Sequence, residues 1–346
     1  MKRLGFILVF VSLNRHFLLL LTAIPEIQDK QSNNINTPPM SVSSTFKSQD
    51  TEEWLDIYFT RPLGYLWARF FDKLGVHPNV VTILSILLGI AAAVCFYFED
   101  LWVNIGGIFL LVWANLYDSA DGQLARMTGK KTRWGRILDG FAGDVWFFCI
   151  YFAICARLMD DPIPFLPHYD WGIFIWLLCA VAGFICHGKQ CQLSDYYRNI
   201  HLYFLKGKAG SELDNFKALR QEFRSLSWTK EPAWKVFLFF YGNYTHSQEQ
   251  QTPRFQAFKA ALDERFEVLP AALVERFRAG SLPLMKYANI LTFNTRAIVL
   301  YLSILIGHPW LYPLFEITVM VGLYLYMRSR HEHLCDELLR DLDTFQ

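Results

Sequence analysis

From residue 79 onward the chain alternates long apolar runs with short polar breaks. The runs 79–98, 101–117, 137–158, 171–188, 288–306 and 309–327 each approach the roughly 20 residues that carry a helix across about 30 Å of hydrocarbon. They predict six transmembrane helices in an all-α, polytopic membrane fold. Ahead of them, 52–75 places Trp54, Leu55, Tyr58, Phe59, Leu63, Leu66, Trp67, Phe70, Phe71 and Leu74 at helical spacing. Trp and Tyr are prominent there, which predicts an N-terminal interfacial amphipathic helix lying on the membrane surface. Pro78 suits the first turn of the first span and Asn79 is its expected cap. Between the fourth and fifth spans, 200–285 is mixed in charge and rich in aromatics. Leu219, Phe223 and Leu226 predict one amphipathic helix, and Phe255, Phe258, Leu262 and Phe266 another. Tyr241–Pro253 reads as a polar loop. This stretch is a cytoplasmic helical insertion that caps one face.

The pattern divides the chain into 1–50, 51–200, 201–285, 286–330 and 331–346. The first part is expected to be disordered, or to precede the true start. Residues 1–22 resemble a signal peptide broken by Asn14-Arg15-His16, translation from Met40 is the alternative, and 25–50 is rich in Ser, Asn, Thr and Pro. The second part holds the interfacial helix and spans one to four, the third the insertion, the fourth spans five and six, and the last a cytoplasmic tail.

Charge orients the spans. Glu99-Asp100 joins the first two; Asp160, Asp161 and Asp170 lie between the third and fourth, with Arg157; His308-Pro309 joins the last two. The opposite side carries Arg61, Arg69, Lys73, Arg126, Lys130, Lys131, Arg133, Arg136, the stretch after Lys189, Arg328 and Arg330. The positive-inside rule puts that basic side, and both chain ends, in the cytoplasm. A hydrophobic share of 53% agrees with a multi-pass membrane protein, and a net charge of +1 gives no reason to expect nucleic acid. The seven cysteines lie mostly in or beside apolar runs, without the spacing of a disulfide framework. His331, His333 and Cys335 have metal-like spacing but no second ligand pair.

Candidate chemistry concentrates where the second span ends and the third begins. Asp118 and Asp121 are three residues apart and share a helix face. Asp139 and Asp144 return to the same membrane depth on the third span. Carboxylates crowded together repel unless a cation neutralises them, and oxygen-only ligands favour Mg²⁺, Mn²⁺ or Ca²⁺. Gly122 permits close approach to the backbone, Ala125 is small for the same reason, and Arg126 is able to pair with a phosphate. A spare carboxylate is the natural base for a hydroxyl acceptor. Arg296 lies inside an apolar run, where an arginine faces a site, snorkels or is paired.

The run Asp118-x2-Asp121-Gly122-x2-Ala125-Arg126-x8-Gly135-x3-Asp139 resembles the signature of the CDP-alcohol phosphotransferase (phosphatidyltransferase) family, D-x2-D-G-x2-A-R-x8-G-x3-D-x3-D. The resemblance covers roughly 52–200 and 285–328. It implies a phosphotransferase of phospholipid biosynthesis that uses Mg²⁺ or Mn²⁺ and moves a phosphatidyl group from CDP-diacylglycerol to a small alcohol, releasing CMP at the cytoplasmic face. It further implies that Asp118, Asp121, Asp139 and Asp144 bind metal and that Asp144 is the catalytic base. Gly122, Ala125, Arg126 and Gly135 would line the cytidine-diphosphate pocket, with Asn79 and Thr82 nearby. Family members are often homodimers. One position departs: the family's last Asp falls on Gly143, and Asp144 follows it. A one-residue π-bulge, eased by Gly140 and Gly143, is expected to return Asp144 to the site; the alternative is a lost base. Lys189, Arg198, Lys206, Lys208 and Arg296 are candidates for a phosphorylated acceptor. Two other readings stay open: a CDP-choline or CDP-ethanolamine donor with diacylglycerol as acceptor, and an inactive family member acting as a membrane scaffold.

Overall fold

The structure is a computed structural model that describes residues 48, 50–130, 132–164, 166–207 and 213–345. The readings of residues 1–47, and of Lys208 as an acceptor ligand, lie outside the described residues. The chain is helical almost throughout. A π-helical turn, Asp56–Thr60, leads into α1, Arg61–Lys73. There follow α2 (Pro78–Tyr97), α3 (Leu101–Thr128) and α4 (Arg133–Leu158). A small antiparallel hairpin, β1 (Pro162–Ile163) and β2 (Leu166–Asp170), pairs Pro162 with Asp170 and Ile163 with Leu166. Then come α5 (Gly172–Ala180), a π segment Val181–His187 and α6 (Gly188–Lys206).

The remainder is α7 (Phe216–Ser225), α8 (Pro232–Gln251), α9 (Pro253–Arg265), α10 (Ala271–Ile290), α11 (Phe293–Leu305), α12 (Leu311–Phe315), a π segment Glu316–Met320 and α13 (Val321–Arg340). Five helical runs are long and apolar enough to cross a membrane: Pro78–Tyr97, Leu101–Thr128, Leu138–Leu158, Gly172–Lys206 and Ala271–Leu305. The sixth expected span, 309–327, falls on the broken run from α12 into α13, whose continuous helix is largely polar beyond Met327.

Local signals account for the ends of the helices around the site. Asp100 caps α3 by accepting from the amides of Trp102 and Val103, and Gly129 ends it at φ 68°. Thr132 caps α4 by accepting from the Gly135 amide at 2.9 Å. The cap of α2 differs from expectation. His77 Nδ1 accepts from the Asn79 amide at 3.2 Å, which leaves the Asn79 side chain free to turn toward Gly135.

Two further departures concern the polar stretches. Tyr241–Pro253, expected as a loop, is helical through Gln251 within α8. Its polar residues are held, with Gln248 Nε2 donating to the Gln192 carbonyl and Thr252 to that of Gln248. The expected tail after Arg328 continues as α13 to Arg340 and packs into a core with α6, α9 and α10 that includes Tyr197, Phe204, Phe258, Phe277 and Cys335. His331 is buried against Tyr197, with ring centroids 3.8 Å apart, and burial holds its pKa down at about 3. His333 pairs instead with Glu337 at the surface, so the two histidines do not converge.

α2, α3 and α4 pack closely around the motif. Trp146 of α4 lies in the notch left by Gly89 and donates to the Ser85 carbonyl at 3.1 Å. A Cβ on Gly89 would sit 2.0 Å from Trp146 Cδ1. Gly89→Ala is therefore expected to destabilise the bundle by about 1–3 kcal/mol, the usual cost of overpacking. Unfolding of the detergent-solubilised protein measures this, and an unchanged midpoint would contradict the packing argument.

Candidate metal and phosphate site

α3 carries Asp118, Asp121, Gly122, Ala125 and Arg126 on one uninterrupted helix, so the i, i+3 spacing does align the first two carboxylates. α4, the next helix in the chain, brings Asp139 to them. One ligand oxygen from each of Asp118, Asp121 and Asp139 lies within 4.8 Å of the others. Asp121 is buried, Asp118 half-buried and Asp139 open on the outer side. Asp118 Oδ1, Asp121 Oδ2 and Arg126 Nε are buried with no hydrogen-bond partner. Buried polar atoms are rarely left so. Orphaned oxygens in an all-carboxylate set fit a hard divalent cation, and an orphaned guanidinium nitrogen beside them fits an anion.

The other expected residues gather around this group. Thr82 is buried on α2, its hydroxyl donating to the Pro78 carbonyl at 3.3 Å and within reach of the Asp121 carboxylate. A Cβ on Gly135 would meet Asn79 Oδ1 at 2.9 Å, so Asn79 and Gly135 face one another closely. A Cβ on Gly122 would meet only the Arg126 guanidinium, at 3.5 Å, which is ordinary contact. Packing within the chain therefore does not require glycine at 122. Ala125 is half-buried beside Arg126.

Asp144 is not brought in. α4 is α-helical from Arg133 to Leu158, so the expected π-bulge is absent. At ~100° per residue a group four positions after Asp139 returns to within about 40° of it, whereas one five positions after it lies about 140° away. Asp144 is outside the carboxylate group and lies in the electrostatic neighbourhood of Cys191 and Tyr244. A general base contributes about 10²–10⁴-fold. From this placement, Asp144→Asn is expected to lower turnover by less than about tenfold, below that range. A loss within the range, at unchanged stability, would restore Asp144 to the reaction.

Arg296 also differs from a site role. It is fully buried, ion-paired with Glu316, and hydrogen-bonded to His187 Nδ1 at 2.9 Å, Gln190 Oε1 at 2.8 Å and the Leu291 carbonyl at 3.0 Å. Among the acceptor candidates, Arg198 is engaged by Asn289 Oδ1 at 2.6 Å and by Glu53 at 3.5 Å, while Lys189 is exposed.

Residues just before α1 were not legible as part of this region. Arg61 pairs with Glu52 at 3.1 Å, and it lies in the electrostatic neighbourhood of both Asp118 and Arg126. Gln123 Nε2 donates to the Arg61 carbonyl at 3.0 Å, tying the N-terminal helix to the motif helix. Glu53 accepts from Asn294 at 2.7 Å and from Thr292, and Asn289 donates to the Glu52 carbonyl. The polar residues at the start of α11 are thus used to hold down the acidic segment 52–56. Burial raises the Glu53 carboxyl's pKa against the pull of those hydrogen bonds. The only sequence signal was a cluster of acids immediately before an amphipathic helix.

Residues 75–190 match the family model described as CDP-alcohol phosphatidyltransferase. The chain is 40% identical over 137 residues to a phosphatidylinositol phosphate synthase of Streptomyces avermitilis, an alignment covering 38% of this chain and 49% of that protein. It is 42% identical over 72 residues to an archaetidylinositol phosphate synthase of Pyrococcus horikoshii, covering 21% and 37%. A bifunctional IPC transferase and DIPP synthase of Aquifex aeolicus is 28% identical over 124 residues, covering 36% and 24%. The chain thus spans about half, or less, of the length of these relatives.

Proposed function

With residues 75–190 a domain of the CDP-alcohol phosphatidyltransferase family, we propose that this protein transfers a phosphatidyl group from CDP-diacylglycerol to an alcohol and releases CMP. The observation that carries this reading is the convergence of Asp118, Asp121 and Asp139, with buried oxygens that have no partner in the chain. These three residues would hold Mg²⁺ or Mn²⁺. Such an ion, when bound, neutralises phosphate charge and stabilises the departing CMP.

The chain's own groups do the rest. Gly122 and Ala125 leave room for the donor's diphosphate against α3. Arg126, with Arg61 behind it, offers the positive charge that a phosphate oxygen accepts from. Asn79, Thr82 and Gly135 line the opposite wall, with Thr82 within reach of the Asp121 carboxylate. The acceptor hydroxyl oxygen bonds to the phosphatidyl phosphorus as the bond from that phosphorus to the bridging oxygen of CMP breaks. The hydroxyl proton passes to a carboxylate on the open side. Asp139 is better placed for this than Asp144, because it lies in the acidic group and is exposed.

Two relatives are named as inositol phosphate synthases, which supports a phosphorylated inositol as the first acceptor to test. The reading includes a site at the cytoplasmic face, from the basic side of the spans, and a homodimer.

The test is CMP release by purified full-length protein with CDP-diacylglycerol, Mg²⁺ or Mn²⁺, and a panel of inositol phosphate, inositol, glycerol 3-phosphate and serine. Metal-dependent release with one acceptor supports the reading and names the acceptor. Release only with CDP-choline or CDP-ethanolamine and diacylglycerol would replace the donor. No release with any pair, from folded protein, would mean that Gly143 marks a lost base and would favour the scaffold reading.

A further inference from the structure

α7 and α8 form a helical hairpin whose amphipathicity is the reverse of that of an ordinary water-exposed element. On α8 the inward positions are Lys235, Leu238, Gly242, Thr245 and Gln248, all buried. Lys235 is held inside by the Leu226 carbonyl at 2.8 Å and by the rings of Phe223 and Trp228, 4.8 and 5.1 Å from its Nζ. The outward positions at i, i+3, i+4 spacing include Val236, Phe239 and Phe240, exposed by 44, 53 and 65%, and Trp228 at the hairpin turn is 56% exposed. Contiguous exposed aromatic surface of this kind marks a contact with lipid or protein.

Two observations select lipid. First, the same hairpin exposes Lys217, Arg220, Arg224 and Lys230, against one exposed acid, Glu231, among the described residues of 216–240. An aromatic face flanked by Lys and Arg is the chemistry of an interfacial anchor on an anionic leaflet. Second, the C-terminal end of α8 is tied to the helix that continues from the fourth span. Gln248 Nε2 bonds to the Gln192 carbonyl at 2.9 Å, four residues beyond the apolar run 171–188 on the same continuous helix. At 1.5 Å per residue, the outward residues 236–240 lie about 12–18 Å along the helix from that tether. That reach keeps them near the membrane.

We infer that the α7–α8 hairpin is a membrane anchor that beds Trp228, Val236, Phe239 and Phe240 into the acyl region of an anionic leaflet, with its basic residues at the headgroups. The experiment uses the full chain in nanodiscs of phosphatidylcholine and phosphatidylglycerol. Nitroxide labels are placed at Val236→Cys and Phe240→Cys, and at exposed Gln250→Cys as the aqueous reference. The unsubstituted chain supplies the background from its native cysteines. Collisions with oxygen should exceed those with a water-soluble nickel chelate at 236 and 240, and the order should reverse at 250. Nickel dominating at 236 and 240 as well would show the face open to water and overturn the inference. Protection from both reagents there would point to a second copy or another protein, and would also overturn it.

A second measurement needs no substitution. A phosphatidylcholine with a diazirine in its acyl chain is photolysed with the unmodified protein, and peptides are mapped. Labelling of 232–243 alongside 172–187 is expected, and labelling of 172–187 alone would overturn the inference.

Discussion

Asp121→Asn is expected to lower metal-dependent CMP release by at least about 10²–10³-fold, the range for removing one group that stabilises charge in a transition state. Asp121 is the most buried of the three carboxylates, and its Oδ2 has no partner within the chain. An amide there keeps the shape and removes a negative ligand. Folding should be nearly unaffected, because the substitution relieves repulsion among Asp118, Asp121 and Asp139 when no cation is present. Two measurements separate the effects: the rate of CMP release at saturating Mn²⁺, and Mn²⁺ binding followed by its electron paramagnetic resonance signal. Chelation by EDTA should reproduce the loss in the unsubstituted protein, with recovery on adding metal back. Wild-type turnover in Asp121→Asn, or turnover indifferent to EDTA, would remove the metal site from the proposed function.

Arg296→Met should be the most destabilising single change in the helical bundle, by about 3–5 kcal/mol, because it leaves a buried charge without its partner. Glu316 is fully buried, and the Arg296 guanidinium is its ion pair. The same guanidinium binds His187, Gln190 and the Leu291 carbonyl, so it links α11 to both π segments and to the end of α10. Adding Glu316→Gln to Arg296→Met should recover part of the loss, since the stranded charge is gone while the Gln190 and Leu291 groups stay unsatisfied. Denaturant unfolding in detergent checks both variants. Equal destabilisation of single and double variants would show that the two charges are not coupled.

Much of this protein is legible without coordinates, because the relevant rules are local. A run of about 20 apolar residues spans, and two aspartates three apart share a face. The all-α membrane architecture follows from these rules, as does the alignment of Asp118 with Asp121. The match of the motif likewise depends only on spacing along the chain.

What local rules could not decide was which distant groups meet. Asp139 enters the acidic group because α2 packs against both α3 and α4 and holds their ends together, whereas Asp144, one residue too far along a regular helix, turns away. Arg296 looked like a site residue by its cost in an apolar run, but a carboxylate 20 positions away and a histidine 109 positions away satisfy it. The stretch 241–253 looked like a loop by composition, yet Gln192 and its neighbours satisfy its polar groups in a helix. The same packing turns the lysine of α8 inward and its phenylalanines outward. The helices, and the alignment of Asp118 with Asp121 on one of them, follow from residues within a few turns of one another. Which carboxylates converge, which charge is buried and which apolar face stays exposed were settled by the fold, since those depend on contacts between segments far apart in the chain.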